Sequence, residues 1–143
     1  MGKYVVSSDS RHVDRDLVWR FLHEAYWSAG VPRDVVERAI DGSICFSAFD
    51  GDPDHGGAQV AFARVVTDRA TFAWVCDVFV LPEHRGQGVG KQLMDTVMAH
   101  PDLQGLRNTL LATRDAHGLY ARYGFAPLAE PARWMAIRRS YRG

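Results

Sequence analysis

The run Asp77-Val-Phe-Val-Leu-Pro-Glu-His-Arg-Gly-Gln-Gly-Val-Gly-Lys91 most constrains this chain, because strand, glycine-rich turn and amphipathic helix follow one another without a break. A helix N-terminus leaves backbone N–H groups unpaired and carries partial positive charge, so it suits a phosphate. Gly86, Gly88 and Gly90 carry no Cβ, which lets a ligand approach the backbone closely. Arg85 and Lys91 bracket the turn and suit the charge of a pyrophosphate. A dinucleotide fingerprint requires G-x-G-x-x-G, and here the third glycine comes one residue early. A P-loop requires G-x-x-x-x-G-K-[ST], and here Arg85 replaces the first glycine and Gln92 the Ser/Thr. The pattern met in full is R-x-x-G-x-G, at Arg85, Gly88 and Gly90; its bland reading is a tight turn without a ligand.

The rest of the chain supplies elements for an α/β sheet. Lys3–Ser7 reads as a short strand, and Asp14 opens a helix carrying Leu17, Val18, Phe21, Leu22 and Ala25 at helical spacing. Val13 and Val18 flank that cap as a hydrophobic staple would. Gly30 is expected to end this helix, and Pro32 to start a second one that closes at Gly42. Ser43–Phe49 and Gln59–Val66 read as a hairpin around an Asp/Gly/Pro turn, and a long strand follows over Thr71–Leu81. A helix over Gly88–Ala99, a strand over Asn108–Thr113 and a helix over Asp115–Tyr123 come next. Two further strands are expected near Phe125–Leu128 and Arg133–Arg138. This order implies a mixed sheet covered by helices. With 143 residues and no linker or repeat, residues 1–143 are expected to form a single domain.

A second motif stands downstream, within Leu111-Ala-Thr-Arg-Asp-Ala-His-Gly-Leu-Tyr-Ala-Arg-Tyr-Gly-Phe125. Its Ala116, Leu119, Tyr120, Gly124 and Phe125 match A-x-x-L-Y-x-x-x-G-F, and R-x-x-G-x-G precedes it in order. On these two motifs the chain resembles the GNAT superfamily of acyl-CoA-dependent N-acyltransferases, strongly over residues 73–127 and elsewhere in element order alone. The resemblance implies a mixed, mostly antiparallel sheet of about six to seven strands flanked by about four helices. It implies acetyl-CoA as co-substrate: Val78, Phe79 and Val80 along the pantetheine arm, and Arg85, Gly86, Gln87, Gly88, Val89, Gly90 and Lys91 around the diphosphate. Thr113 stands where many relatives have an Asn that contacts CoA, so that contact is weakened or remade.

Acetyl transfer to an amine requires a neutral nucleophile, a donor to the tetrahedral oxyanion and a proton for the departing thiolate. Tyr120 occupies the family's general-acid position. A phenol, with a free pKa of about 10, can supply that proton; the bland reading is a core aromatic, and Tyr123 reads as packing. The resemblance puts a backbone N–H near Phe79 or Val80 on the carbonyl. Asp77 interrupts the apolar run Trp74–Val80, where an unpaired acid would cost several kcal/mol. Polyamine acetyltransferases carry an acidic pair where this chain has Cys76-Asp77, so Asp77 is expected to hold the substrate ammonium or to act as base, directly or through water. Arg114 and Asp115 read as a helix-start charge pair, with Asp115 as the cap, and His117 reads as a surface histidine.

In this fold the first helices and the late strands read the acceptor, which points to Tyr26, Trp27 and Arg33 as a small aromatic pocket with one cation. Trp134 reads as acceptor wall or dimer contact. Seventeen basic and seventeen acidic residues cancel, so no overall field draws the chain to nucleic acid or acidic lipid. No apolar run approaches the ~18 residues of a membrane span. Cys45 and Cys76 read as buried thiols, and the cytoplasm as the expected compartment. His12, His23, His55, His84 and His100 form no metal-ligand pattern, so no metal is expected. The expected partner is a small-molecule or peptide amine, on a monomer or homodimer; the competing functions are protein lysine or N-terminal acetylation, and acyl-CoA sensing without turnover.

Overall fold

The computed structural model describes residues 3–141. Its strands are β1 (Tyr4–Ser7), β2 (Ile44–Asp50), β3 (Ala58–Thr67), β4 (Phe72–Val80) and β5 (Asn108–Leu111). Its α-helices are α1 (Arg15–Glu24), α2 (Arg33–Asp41), α3 (Val89–Ala99) and α4 (His117–Ala121). The strands form one sheet in chain order, antiparallel from β1 to β4 and parallel between β4 and β5. The expected mixed, mostly antiparallel α/β architecture with four helices is therefore present.

Strand alternation divides the core into two layers. On one face, Phe46, Ala61, Ala63, Val75 and Tyr120 pack with Val89, Leu93, Met94 and Val97 of α3. On the other, Cys45, Phe62 and Phe79 pack with Val18 and Leu22 of α1 and Val36 and Ile40 of α2. Each of these helical side chains is nearly inaccessible, and burial of each contributes about 1.5–3 kcal/mol. Asp14 caps α1 by accepting from the Leu17 N–H, with Val13 and Val18 buried in one cluster beside it.

Gly30 does not end the first helix, which stops at Glu24. The Ser28 hydroxyl donates to the Leu22 carbonyl and the Gly30 N–H to that of His23, so the last carbonyls are satisfied without another turn. This leaves Tyr26 and Trp27 on a loop, free to reach toward the sheet.

Among the described residues the sheet has five strands, not six or seven. Residues 125–130 are irregular, residues 131–133 form a 3₁₀ turn, and residues 134–140 run without ladder partners. Pro127 and Pro131 remove two backbone donors from this stretch. Met135 and Ile137 remain 96% and 85% exposed, so their apolar alternation buries nothing against the sheet. The helix expected over 115–123 contracts to α4: at its start the Thr113 hydroxyl, rather than Asp115, accepts from the Ala116 N–H, and residues 122–124 form a turn.

Candidate active site

Two strands part to create the site. β4 pairs with β5 only from Phe72–Asn108 to Val75–Leu111, although β4 continues to Val80. From Cys76 onward the β5-facing edge of β4 has no strand beside it among the described residues, and a wedge opens. The divergence coincides with a bulge: Phe62 faces Phe79 and Arg64 faces Cys76, so Ala63 opposes both Asp77 and Val78. Asp77 takes φ +52°, a left-handed conformation that Asp tolerates better than most residues.

The bulge aims Asp77 at two donors. Its Oδ1 accepts from Trp27 Nε1 at 3.0 Å and its Oδ2 from Arg64 Nε at 2.9 Å. Arg64 Nη1 also donates to the Ser43 hydroxyl. Both members of the ion pair are about 85% covered, their side chains only 15% and 14% exposed. Arg64 carries the same signal that marked Asp77, a charge inside an apolar strand (Val60-Ala-Phe-Ala-Arg-Val-Val), and the sequence reading passed over it.

A cavity of about 960 Å³ runs through the wedge, lined by Tyr26 and Trp27, by residues 74–78 and 111–116, by Tyr120, and by residues 136–139. Tyr120 is buried, packs edge-on against Phe125, and its hydroxyl has no hydrogen-bond partner among the described residues. Burial pushes its pKa up, so the phenol keeps its proton at neutral pH. Tyr123 differs: its hydroxyl donates to Asp95 Oδ1 at 2.7 Å and stands 3.2 Å from the Lys91 carbonyl, tying the end of α4 to α3. The two thiols are poor nucleophiles, because burial pushes Cys45 up to about 11 and Cys76 up to about 12.

The glycine turn presents itself as the motif suggested. Gly86 and Gly88 take φ +76° and +82°, and Gly88 caps α3 without any side-chain hydrogen bond. Among the described residues, the backbone N–H groups of residues 86–91 have no acceptor. Tyr4 holds the turn from β1, its hydroxyl donating to Gln87 Oε1 and standing 2.9 Å from His84 Nδ1. Arg85 donates from Nε to the Val80 carbonyl, and Lys91 pairs with Asp95 at 3.0 Å. Of the strand residues, Val78 and Val80 pack on the α3 face, whereas the Phe79 ring stacks on Phe21 at 3.9 Å and leaves only its backbone for a ligand.

Tyr26 and Trp27 line the cavity in edge contact, and the Arg114 guanidinium lies 4.0 Å from the Tyr26 ring centroid. Arg33 is not among the residues that line it. It pairs with Asp16 at 2.9 Å and Glu37 at 3.4 Å and lies over Trp19, where the α1–α2 charges draw it outward. The cation beside the aromatics is Arg114, read from sequence only as part of a helix-start charge pair. Trp134 is half-exposed and outside the cavity lining.

Comparison with known proteins agrees with this geometry. Residues 41–127 match the model of the acetyltransferase (GNAT) domain. The chain aligns over 99% of its length with 96% of a crystal structure from Xanthomonas campestris pv. campestris assigned to GNAT-family acetyltransferases, at 53% identity and TM-score 0.91. It is 30% identical to a Gibberella zeae protein named as an acetyltransferase, over 85% of this chain and 77% of that one. It is 33% identical to the chloroplastic serotonin N-acetyltransferase 2 of Oryza sativa subsp. japonica, over 83% of this chain and 62% of that one. On the domain match and this near-complete structural likeness, the chain belongs to the GNAT family of acetyltransferases.

Proposed function

We propose that this acetyltransferase uses acetyl-CoA to acetylate a primary amine of a small molecule, by direct attack within a ternary complex. Three features carry the reading, two of them on the wedge and the first at the helix start that follows β4 in the chain. Among the described residues, these are the N–H groups of residues 86–91 without an acceptor, the β4 edge from Cys76 to Val80 without a strand partner, and the Tyr120 hydroxyl without a hydrogen-bond partner. The first suits the diphosphate, with Arg85 and Lys91 at its margin; the second suits the pantetheine amides, which would pair with backbone as a strand does.

The amine nitrogen attacks the thioester carbon, and an N–H of the β4 edge near Phe79 or Val80 stabilises the oxyanion. As the C–S bond breaks, Tyr120 passes its proton to the thiolate and regains one from solvent. Asp77 acts in this scheme as a positioning residue: both oxygens already accept from Trp27 and Arg64, so it fixes the bulge and the acceptor wall. The acceptor ammonium gives up one proton to cavity water before the attack, and the nitrogen of the adduct loses a second by the same route. With thiols held near 11 and 12, no acetyl-cysteine intermediate is invoked.

The acceptor side is walled by Tyr26, Trp27 and Trp74, which suits an aromatic or other flat amine. The acceptor named for the rice relative is an amine of that kind. The test is release of free CoA thiol with acetyl-CoA across aryl-alkylamines, amino acids, aminoglycosides, polyamines and peptides. Steady turnover with a small amine supports the reading. Turnover confined to peptides moves the acceptor to protein, and tight acetyl-CoA binding without any turnover replaces the enzyme by a sensor.

A further inference from the structure

We infer that the acceptor is a zwitterion: an amine that also carries a carboxylate or phosphate, held by Arg114 with Arg138 and Arg139 at the mouth of the cavity. This rests on the acetyl-transfer reading of the same cavity. The charged residues lining it are Arg64, Asp77, Arg85, Arg114, Asp115, Arg138 and Arg139. Arg64 and Asp77 neutralise one another at 2.9 Å. Arg85 is tied to the Val80 carbonyl beside the glycine turn, where the co-substrate diphosphate requires it. What remains is three arginines against the single carboxylate of Asp115, and none of the three forms an ion pair among the described residues.

Arg114 is the best placed of the three. Its guanidinium carbon lies over the Tyr26 ring, 4.0 Å from the centroid, and its N–H groups have no hydrogen-bond or ion-pair partner among the described residues. The planar fork of an arginine matches a carboxylate or a phosphate in two parallel hydrogen bonds. This contact also sets Arg114 on the aromatic side of the cavity, where Tyr26 and Trp27 stand. By contrast, a polycation would meet a cavity mouth of its own sign, and Asp77 has no free charge to offer it.

Matched acceptors test this, differing only in the anion. Tryptophan against tryptamine probes a carboxylate, and O-phosphoethanolamine against ethanolamine a phosphate. Both are assayed for turnover, and by calorimetry on enzyme saturated with CoA. Charge-assisted hydrogen bonds of this kind predict a preference of about ten- to a hundredfold for the anionic member of at least one pair. Arg114→Ala should pull that ratio toward one while KM for acetyl-CoA stays unchanged, with Arg114→Lys intermediate. Arg138→Gln with Arg139→Gln, at exposed positions, should lower the ratio without a folding penalty. Equal binding of both members, or a preference for the uncharged one, overturns the proposal. So does a rise in acetyl-CoA KM in Arg114→Ala, which would assign the arginines to the co-substrate. If neither member is acetylated but calorimetry retains the anion preference, the transfer reading fails and the anion site stands.

Discussion

Replacing Asp77 separates positioning from proton transfer. Asp77→Ala leaves the Arg64 guanidinium, 15% exposed, without its counter-charge, at a cost of about 3–5 kcal/mol. It also orphans the Trp27 N–H, for about 1 kcal/mol more, and places alanine at φ +52°, for about 1–2 kcal/mol. These terms overlap, so a loss of about 4–6 kcal/mol is expected, a large share of the 5–15 kcal/mol typical of a domain. Asp77→Asn keeps an acceptor and tolerates the left-handed conformation, but one of the two donors loses its partner. Its cost should be about 2–3 kcal/mol. The assay is urea unfolding of Asp77→Asn, Arg64→Gln and the double variant, with kcat and KM against pH for each. Coupling of about 2 kcal/mol or more is expected, because the double variant removes both buried charges together. If Asp77 positions, Arg64→Gln reproduces the kinetic defect of Asp77→Asn, chiefly in amine KM, and the acidic limb of the pH profile persists. If Asp77 is the base, kcat of Asp77→Asn alone falls by about 10²–10⁴ and that limb disappears. That result, or negligible coupling, would refute the reasoning.

Other consequences are open to direct measurement. Gly88→Glu forces a side chain into φ +82° and adds negative charge beside the open N–H groups, so CoA affinity should fall at least tenfold by calorimetry; an unchanged affinity places the diphosphate elsewhere. Cys45→Ala with Cys76→Ala should keep kcat within about an order of magnitude, and mass spectrometry during turnover should find no acetyl-cysteine. Asp68 accepts from the N–H groups of Ala70, Thr71 and Phe72 and from the Thr71 hydroxyl, which hold its carboxyl well below the usual range. Its contribution to the β3–β4 turn is thus fully present above about pH 4 and is lost only as pH falls through its folded pKa. Asp68→Ala should lower Tm at pH 7 but little near pH 1–2; an equal loss at both would contradict this.

Much of the site was legible because its parts are local. The glycine turn, the α1 cap at Asp14 and the helix carrying Tyr120 each declare themselves within a few residues. Arg64 and Asp77 are each odd in their own strand, yet only the β3–β4 register shows that the two oddities answer each other. The length of α1 was misjudged because its C-terminus is closed by Ser28 and Gly30 folding back, which helical spacing does not reveal. The last two strands were over-read, since alternation in Trp134–Arg138 says nothing about whether a neighbouring edge accepts it. Arg33 and Arg114 exchanged places for a similar reason: both stand near aromatics in sequence or space, and the charges of Asp16 and Glu37 decide which turns outward.

Tyr120→Phe tests the central claim most directly. The substitution removes one oxygen from a ring packed against Phe125, and that oxygen has no hydrogen-bond partner among the described residues. Fold and CoA affinity should therefore be preserved, as thermal unfolding and calorimetry would show. A general acid contributes about 10²–10⁴-fold, so kcat for acetyl transfer should fall by that factor with KM for acetyl-CoA nearly fixed. Parental turnover in Tyr120→Phe would contradict the account and return Tyr120 to the core.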